Sequence, residues 1–167
     1  GERVLGLNAI GHLVNQAMKI SFCVYRPWIR DARVTPIPEA LTTATGYSFP
    51  SGHTTNGGVW TMGLGLFLRD KCKTKRGKGL TMAAFALIWL LIGFSRNFLG
   101  VHTPQDVGVM IVVMLPLIWL SGKMMDFADN GKREEWMVAG GITLASVALA
   151  VYALVKPFPM DYNADGA

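Results

Sequence analysis

An all-α, polytopic transmembrane helix bundle of about five spans is the fold class this sequence predicts, on three observations. Apolar residues make up 51% of the 167 and charged residues only 16%. The apolar residues gather into five blocks, 4–25, 55–68, 80–99, 107–120 and 137–155. Each block approaches the roughly 17–25 residues with which a helix crosses a bilayer, and five such spans leave little chain for a soluble domain.

The elements follow in order. The first block carries His12, Asn15, Gln16 and Lys19 and is followed by no small-residue cleavage pattern, so it reads as a span and not as a signal peptide. Arg26-Pro27 is expected to end it, because the residue before proline is pushed out of helical geometry. Ser51 is the expected N-cap of the second long helix, and Thr103-Pro104 the N-cap and first position of the fourth. Gly57, Thr61 and Gly65 put small residues on one stripe of the second helix, which lets a neighbouring helix approach closely in lipid. Pro116 is expected to kink the fourth span. No internal repeat or low-complexity segment is visible.

The net charge of +5 is unevenly placed. RDKCKTKRGK (69–78) holds six basic residues between two apolar blocks. Between spans the positive-inside rule makes this a cytoplasmic loop, here taken as 69–79, touching anionic headgroups rather than nucleic acid. That choice puts 26–53 and 95–106 outside, 121–136 inside with Lys123, Lys132 and Arg133, and the tail 156–167 outside. Arg26, Arg30 and Arg33 then stand in an outer loop against the rule, which predicts work for them there. Cys23 and Cys72 fall on opposite faces, as free thiols rather than a disulfide or a zinc site.

Three outer stretches concentrate residues that handle anions. In KISFCVYRP (19–27), Lys19 and Arg26 are seven apart, so two helical turns set them on one face. A lysine so far inside a span either snorkels or faces a polar cavity. In PSGH (50–53), Gly52 admits close backbone approach and the helix start offers N–H groups to an anion. His53 sits in that first turn, as a site residue or as the histidine of a merely capped helix. In SRNFLGVHTPQD (95–106), Arg96 presents a planar fork suited to phosphate oxygens. His102 and Asp106 are four apart, so the carboxylate can fix one imidazole tautomer and leave the other nitrogen as nucleophile or base. Thr103-x-x-Asp106 also reads as a capping box. Each stretch has a structural reading by itself; their convergence on one face predicts an anion site. His12 is expected to bond a neighbouring helix and is left outside the site. Trp28 and Tyr47 are expected to be interface anchors.

Lys19-x6-Arg26-Pro27, Pro50-Ser51-Gly52-His53 and Ser95-Arg96-x5-His102-x3-Asp106 together resemble the three-part signature of the type 2 phosphatidic acid phosphatase superfamily. The resemblance implies His102 as a nucleophile carrying a phosphohistidine, Asp106 as its orienting carboxylate and His53 as general acid. It implies Lys19, Arg26, Ser51, Gly52, Ser95 and Arg96 as phosphate-binding residues, with no metal or other cofactor. The implied organisation is a phosphatase core over 1–125, carrying motifs at 19–27, 50–53 and 95–106. Residues 126–167 then add a cytoplasmic loop, one further transmembrane helix and an outer tail. The implied activity is metal-independent hydrolysis of a lipid phosphate or polyprenyl pyrophosphate at the extracytoplasmic face of, by expectation, the plasma membrane. Its partners would be membrane lipids and the lipid phosphate itself. Members of the membrane branch commonly have six spans, two of them before the helix of the first motif. Here one span contains Lys19 and the block 137–155 follows the core, so upstream helices outside this chain, or a partner, are expected to complete it. Two rivals are weaker. A vanadium-dependent haloperoxidase fits poorly with the apolar composition, and a lipid-binding or transport protein would need the cations but not two histidines.

Overall fold

The computed structural model describes residues 2–44 and 46–159, and in it the five apolar blocks become five long helices. Among the described residues the order is α1 Glu2–Phe22, α2 Pro27–Arg30, α3 Pro38–Thr43, α4 Gly52–Lys71, α5 Lys75–Phe98, α6 Pro104–Ala128 and α7 Lys132–Val155, with no strand. Residues 160–167 of the expected outer tail lie outside the described residues. Helices α5, α6 and α7 have 24, 25 and 24 residues and are long and apolar enough to cross a bilayer. Helices α1 and α4 have 21 and 20 residues, a span's length, but their polar residues lower their hydropathy.

Burial runs in the sense expected in lipid. The closed core is small, built from Leu7, Val59, Met62, Trp89, Met110 and Met114, while Trp60, Phe94, Phe98, Trp119 and Leu154 stand exposed on the outside. Apolar surface on this scale is not left to water by a soluble domain. The chain is a membrane protein.

Helix ends depart from expectation in three places. α1 stops at Phe22, not at Arg26-Pro27, because Cys23 turns the chain with a φ of 48°. Lys19 and Arg26 are therefore not stacked on one helix; Arg26 reaches the site from the segment that N-caps α2. The stretch 69–78 is mostly helix: α4 runs to Lys71 and α5 begins at Lys75, where the Thr74 hydroxyl accepts the Gly77 amide at 3.0 Å. Likewise α6 runs on to Ala128 and continues through Pro116, leaving a short link before α7. The expected caps are present at Ser51, whose hydroxyl accepts Thr54 N–H at 3.3 Å, and at Thr103.

The small-residue stripe brings α5 against α4. A Cβ at Gly57 would lie 3.0 Å from Ile92 Cγ2 and one at Gly65 would lie 2.9 Å from Phe85 Cβ. At Gly58, beside that stripe, it would meet the Trp89 ring at 2.9 Å. Trp89 closes the contact by donating its indole N–H to the carbonyl of Thr54 at 2.7 Å. On α5 itself, a Cβ at Gly93 would lie 2.7 Å from Val107 Cγ1, so Gly93 lets α5 meet the start of α6.

These contacts sort the loops onto two ends. Arg3 pairs with Asp126 at 2.6 Å, setting the start of α1 beside the end of α6. A cavity at that end is lined by Arg69, Asp70, Lys123 and Asp126, so the basic 69–78 stretch and the 121–136 stretch share it. At the other end meet the C-termini of α1, α5 and α7 and the N-termini of α4 and α6. Ser51 N–H donates to the carbonyl of Asp106 at 3.1 Å there, tying the second sequence motif to the third.

Candidate active site

A cavity of about 400 Å³ opens at this second end, and Lys19, Arg26, Gly52, His53, Arg96 and His102 all line it. Helices α1, α4 and α5 and the α5–α6 loop each contribute, so residues up to 90 positions apart in sequence share one hollow. Ile37, Glu39, Ala40 and Thr43, from α3 and the residue before it, form part of the wall.

His102 is the most constrained member. It sits in the short loop before α6, is 4% exposed, and takes Nη1–H of Arg26 on its Nε2 at 3.2 Å. An arginine only donates, so Nε2 carries the lone pair and the ring proton is on Nδ1. Nδ1 faces Asp106 Oδ2 at 3.5 Å and Ser48 Oγ at 3.4 Å. Burial, the largest influence, outweighs the bond to Asp106 and lowers the His102 pKa to about 4, with Arg26 acting in the same direction. At neutral pH the ring is uncharged, with its unprotonated Nε2 against the Arg26 guanidinium.

Asp106 combines both roles open to it in the sequence. Its Oδ2 accepts Thr103 N–H at 2.7 Å while its own N–H donates to Thr103 Oγ1 at 3.3 Å, completing the capping box. The same oxygen faces His102 Nδ1 and accepts the Ser48 hydroxyl at 2.5 Å. Cap and histidine partner are one carboxylate, so a helix start aligns the imidazole.

Two of the three cations, Arg26 and Lys19, are held by backbone oxygens. Arg26 is 4% exposed; its Nε donates to Gly46 O at 2.9 Å and its Nη1 to Val101 O at 3.0 Å, while Trp28 lies 6.0 Å from its guanidinium carbon. Lys19 donates to the carbonyl of Tyr47. Arg96, in the last turn of α5, donates Nε to Ser95 Oγ at 3.3 Å. His53 lies in the first turn of α4, ahead of the apolar run that begins at Thr55. Burial first, then Arg96, Arg26 and Lys19, hold its pKa below the usual histidine value.

The other residues expected at the site divide. Gly52 lines the cavity, whereas Ser51 and Ser95 are not among its lining residues: Ser51 is fully buried as the α4 cap, and Ser95 Oγ donates to Ile92 O at 2.7 Å. Of the three outer arginines only Arg26 lines the cavity, and Arg33 instead pairs with Asp31 at 2.7 Å. Tyr47 is not a surface anchor; it is 6% exposed, between Tyr25 and Phe158. His12 bonds the neighbouring helix as expected, with Nε2 at 2.6 Å from Asn56 Oδ1, but both residues also line the cavity. Two members went unread. Ser48 is a lone serine with no local signal, and Asn15, 1% exposed, lines the cavity and donates to Thr55 Oγ1 at 3.0 Å. Among the described residues no three His, Cys, Asp or Glu side chains gather as a metal ion would require.

The arrangement offers an anion three cationic side chains and a helix start, with one imidazole poised to attack and a second able to pass a proton. The family model described as PAP2 superfamily matches residues 3–129. No curated protein and no solved structure matches the chain.

Proposed function

The chain belongs to the PAP2 superfamily, whose members are phosphatase-type hydrolases of phosphate esters, and from that premise we propose that it hydrolyses a lipid phosphate or polyprenyl pyrophosphate through a phosphohistidine. One observation carries this reading: His53 and His102 line a single cavity together with Lys19, Arg26 and Arg96.

The substrate phosphate displaces Arg26 Nη1 from His102 Nε2, and the guanidinium turns its donors to the phosphate oxygens. Nε2 attacks phosphorus, a P–N bond forms, and the P–O bond to the leaving group breaks. His53 gives its proton to the departing oxygen. Water then attacks the phosphohistidine, His53 takes the water's proton, the P–N bond breaks and inorganic phosphate leaves. Asp106, held by Thr103 and Ser48, stabilises the positive charge that His102 carries in the intermediate. Phosphoryl transfer asks chiefly for alignment and for positive charge around the equatorial oxygens, and Lys19, Arg26, Arg96 and the α4 amides supply it.

His53 must be protonated to act as the acid, yet burial and its cationic neighbours disfavour that form. A bound phosphate dianion offsets those cations, so substrate binding itself charges the general acid. The basic stretch 69–78 lies at the end away from the cavity, which supports an extracytoplasmic site at headgroup level under the positive-inside rule. Five spans complete the reading, α1 and α4 joining the three more apolar helices.

Purified protein in detergent should release phosphate from phosphatidate in the presence of EDTA, and His102→Ala should abolish release. Turnover by His102→Ala at the wild-type rate would rule out the phosphohistidine route.

A further inference from the structure

Helix α7 lies beyond the family match, which ends at residue 129, yet its far end reaches the site. Lys156, the C-cap residue of α7, is directed onto the C-terminus of α1. Its Nζ donates to the carbonyls of Ile20 and Ser21, the latter at 2.8 Å, and lies 3.4 Å from Cys23 Sγ. These are among the last carbonyls of α1, which no intrahelical amide reaches and where the helix dipole is negative. A lysine there both satisfies the orphan acceptors and fixes where α1 stops. One turn earlier on α7, the hydroxyl of Tyr152 lies 3.4 Å from Ser21 Oγ.

Two residues past Lys156 the chain makes a second contact. The Phe158 ring stacks on Tyr47, with centroids 6.5 Å apart and planes 15° from parallel. Lys156 Nζ lies 5.7 Å from the Phe158 ring, so the two contacts are joined. Both lead into the cavity. Ile20 directly follows Lys19, whose ammonium is bonded to the Tyr47 carbonyl. Ser48 directly follows Tyr47 and donates to Asp106.

We infer that the end of α7, Tyr152 through Phe158, is a brace that sets Lys19 and the Tyr47–Ser48 turn in register for phosphate. Lys156 and Phe158 are its positioning residues. The inference takes the cavity to be a phosphate site, as proposed above. A lysine side chain has many rotamers, so its ammonium is placed only as well as the backbone beneath it and the acceptor in front of it. The brace holds both. A displacement of about 1 Å at such a site can cost on the order of a hundredfold in rate.

The test is a double-mutant cycle read by calorimetric binding of inorganic phosphate, which is measurable even in inactive variants. Lys156→Met should weaken phosphate binding about tenfold in the wild-type background and less than twofold in a Lys19→Met background, because the brace acts through Lys19. Lys156→Arg, which still donates to the α1 carbonyls, should restore affinity to within about threefold of wild type. Should Lys156→Met not fold, Phe158→Leu is read in the same two backgrounds with the same expectation. A tenfold loss in both backgrounds, or none in either, overturns the brace. Phosphate release by the wild-type protein is measured separately: its absence alongside a non-additive cycle would sink the hydrolase reading and leave the brace standing.

Discussion

Ser48→Ala removes one hydroxyl that does not line the cavity, and it should nevertheless slow the reaction. Ser48 is fully buried; its hydroxyl donates to Asp106 Oδ2 at 2.5 Å and lies 3.4 Å from His102 Nδ1. The acceptor is a carboxylate whose remaining partners on that oxygen are Thr103 N–H at 2.7 Å and the looser His102 contact at 3.5 Å. A hydrogen bond to a charged group contributes about 1.5–3 kcal/mol net. If that bond sets the carboxylate on which the imidazolium forms, its loss falls on the transition state, and each ~1.4 kcal/mol is tenfold in rate. The expected result is a kcat lower by about ten- to a hundredfold, with KM within about twofold because Ser48 lies behind His102 and not beside the substrate. The assay is steady-state phosphate release in detergent at fixed pH, with circular dichroism to establish that the helices are retained. A folded Ser48→Ala protein with wild-type kcat would refute the idea that Asp106 orients His102 through this network.

Four further outcomes follow from the structure. Because the His102 pKa is lowered to about 4, the acid limb of kcat/KM should lie near 4 and not near 6.5, and the alkaline limb of kcat, set by His53, should lie above that of kcat/KM; coincident alkaline limbs would refute charging of His53 by bound phosphate. The same depressed pKa makes His102 a pH-dependent contributor to stability, whole above about 6.5 and lost as pH falls towards about 4, which thermal unfolding across that range would register. Gly93→Ala puts a Cβ 2.7 Å from Val107 Cγ1 and should force α5 from α6, destabilising by about 1–3 kcal/mol and lowering kcat/KM by moving Arg96 one turn away. Gly79→Ala, with nothing within 4 Å of the new methyl group, should leave activity unchanged and raise Tm slightly, because alanine is about 1 kcal/mol better than glycine inside a helix such as α5.

Much of the site was legible in the chain because its chemistry comes in local units. Cap signals are decided over four residues, so Ser51 and the Thr103–Asp106 box could be placed from the residues alone. The polar residues of the outer stretches were costly in an apolar chain unless they shared a cavity, and that cost pointed to their convergence. Helix lengths were less legible. Hydropathy marks where lipid lies and not where backbone hydrogen bonds end, so α4, α5, α6 and α7 run past their apolar blocks. The end of α1 was misplaced because a single residue, Cys23, turns the chain where no proline or glycine announces it.

Composition, block length and the three motifs were enough by themselves to determine a membrane-embedded helical chain with its motif cations and histidines gathered at one end, because lipid, charge and helix starts each act over a few neighbouring residues. Only the tertiary structure decided that Arg26 rests on Nε2 of His102, that Ser48 stands behind Asp106, that His12 joins the wall, and that Lys156 and Phe158 clamp α1 and the Tyr47 turn. Those contacts join residues from 44 to 136 positions apart. Each depends on how close two helices come, which is set by Gly58, Gly93 and the side chains they make room for, and no local pattern records it.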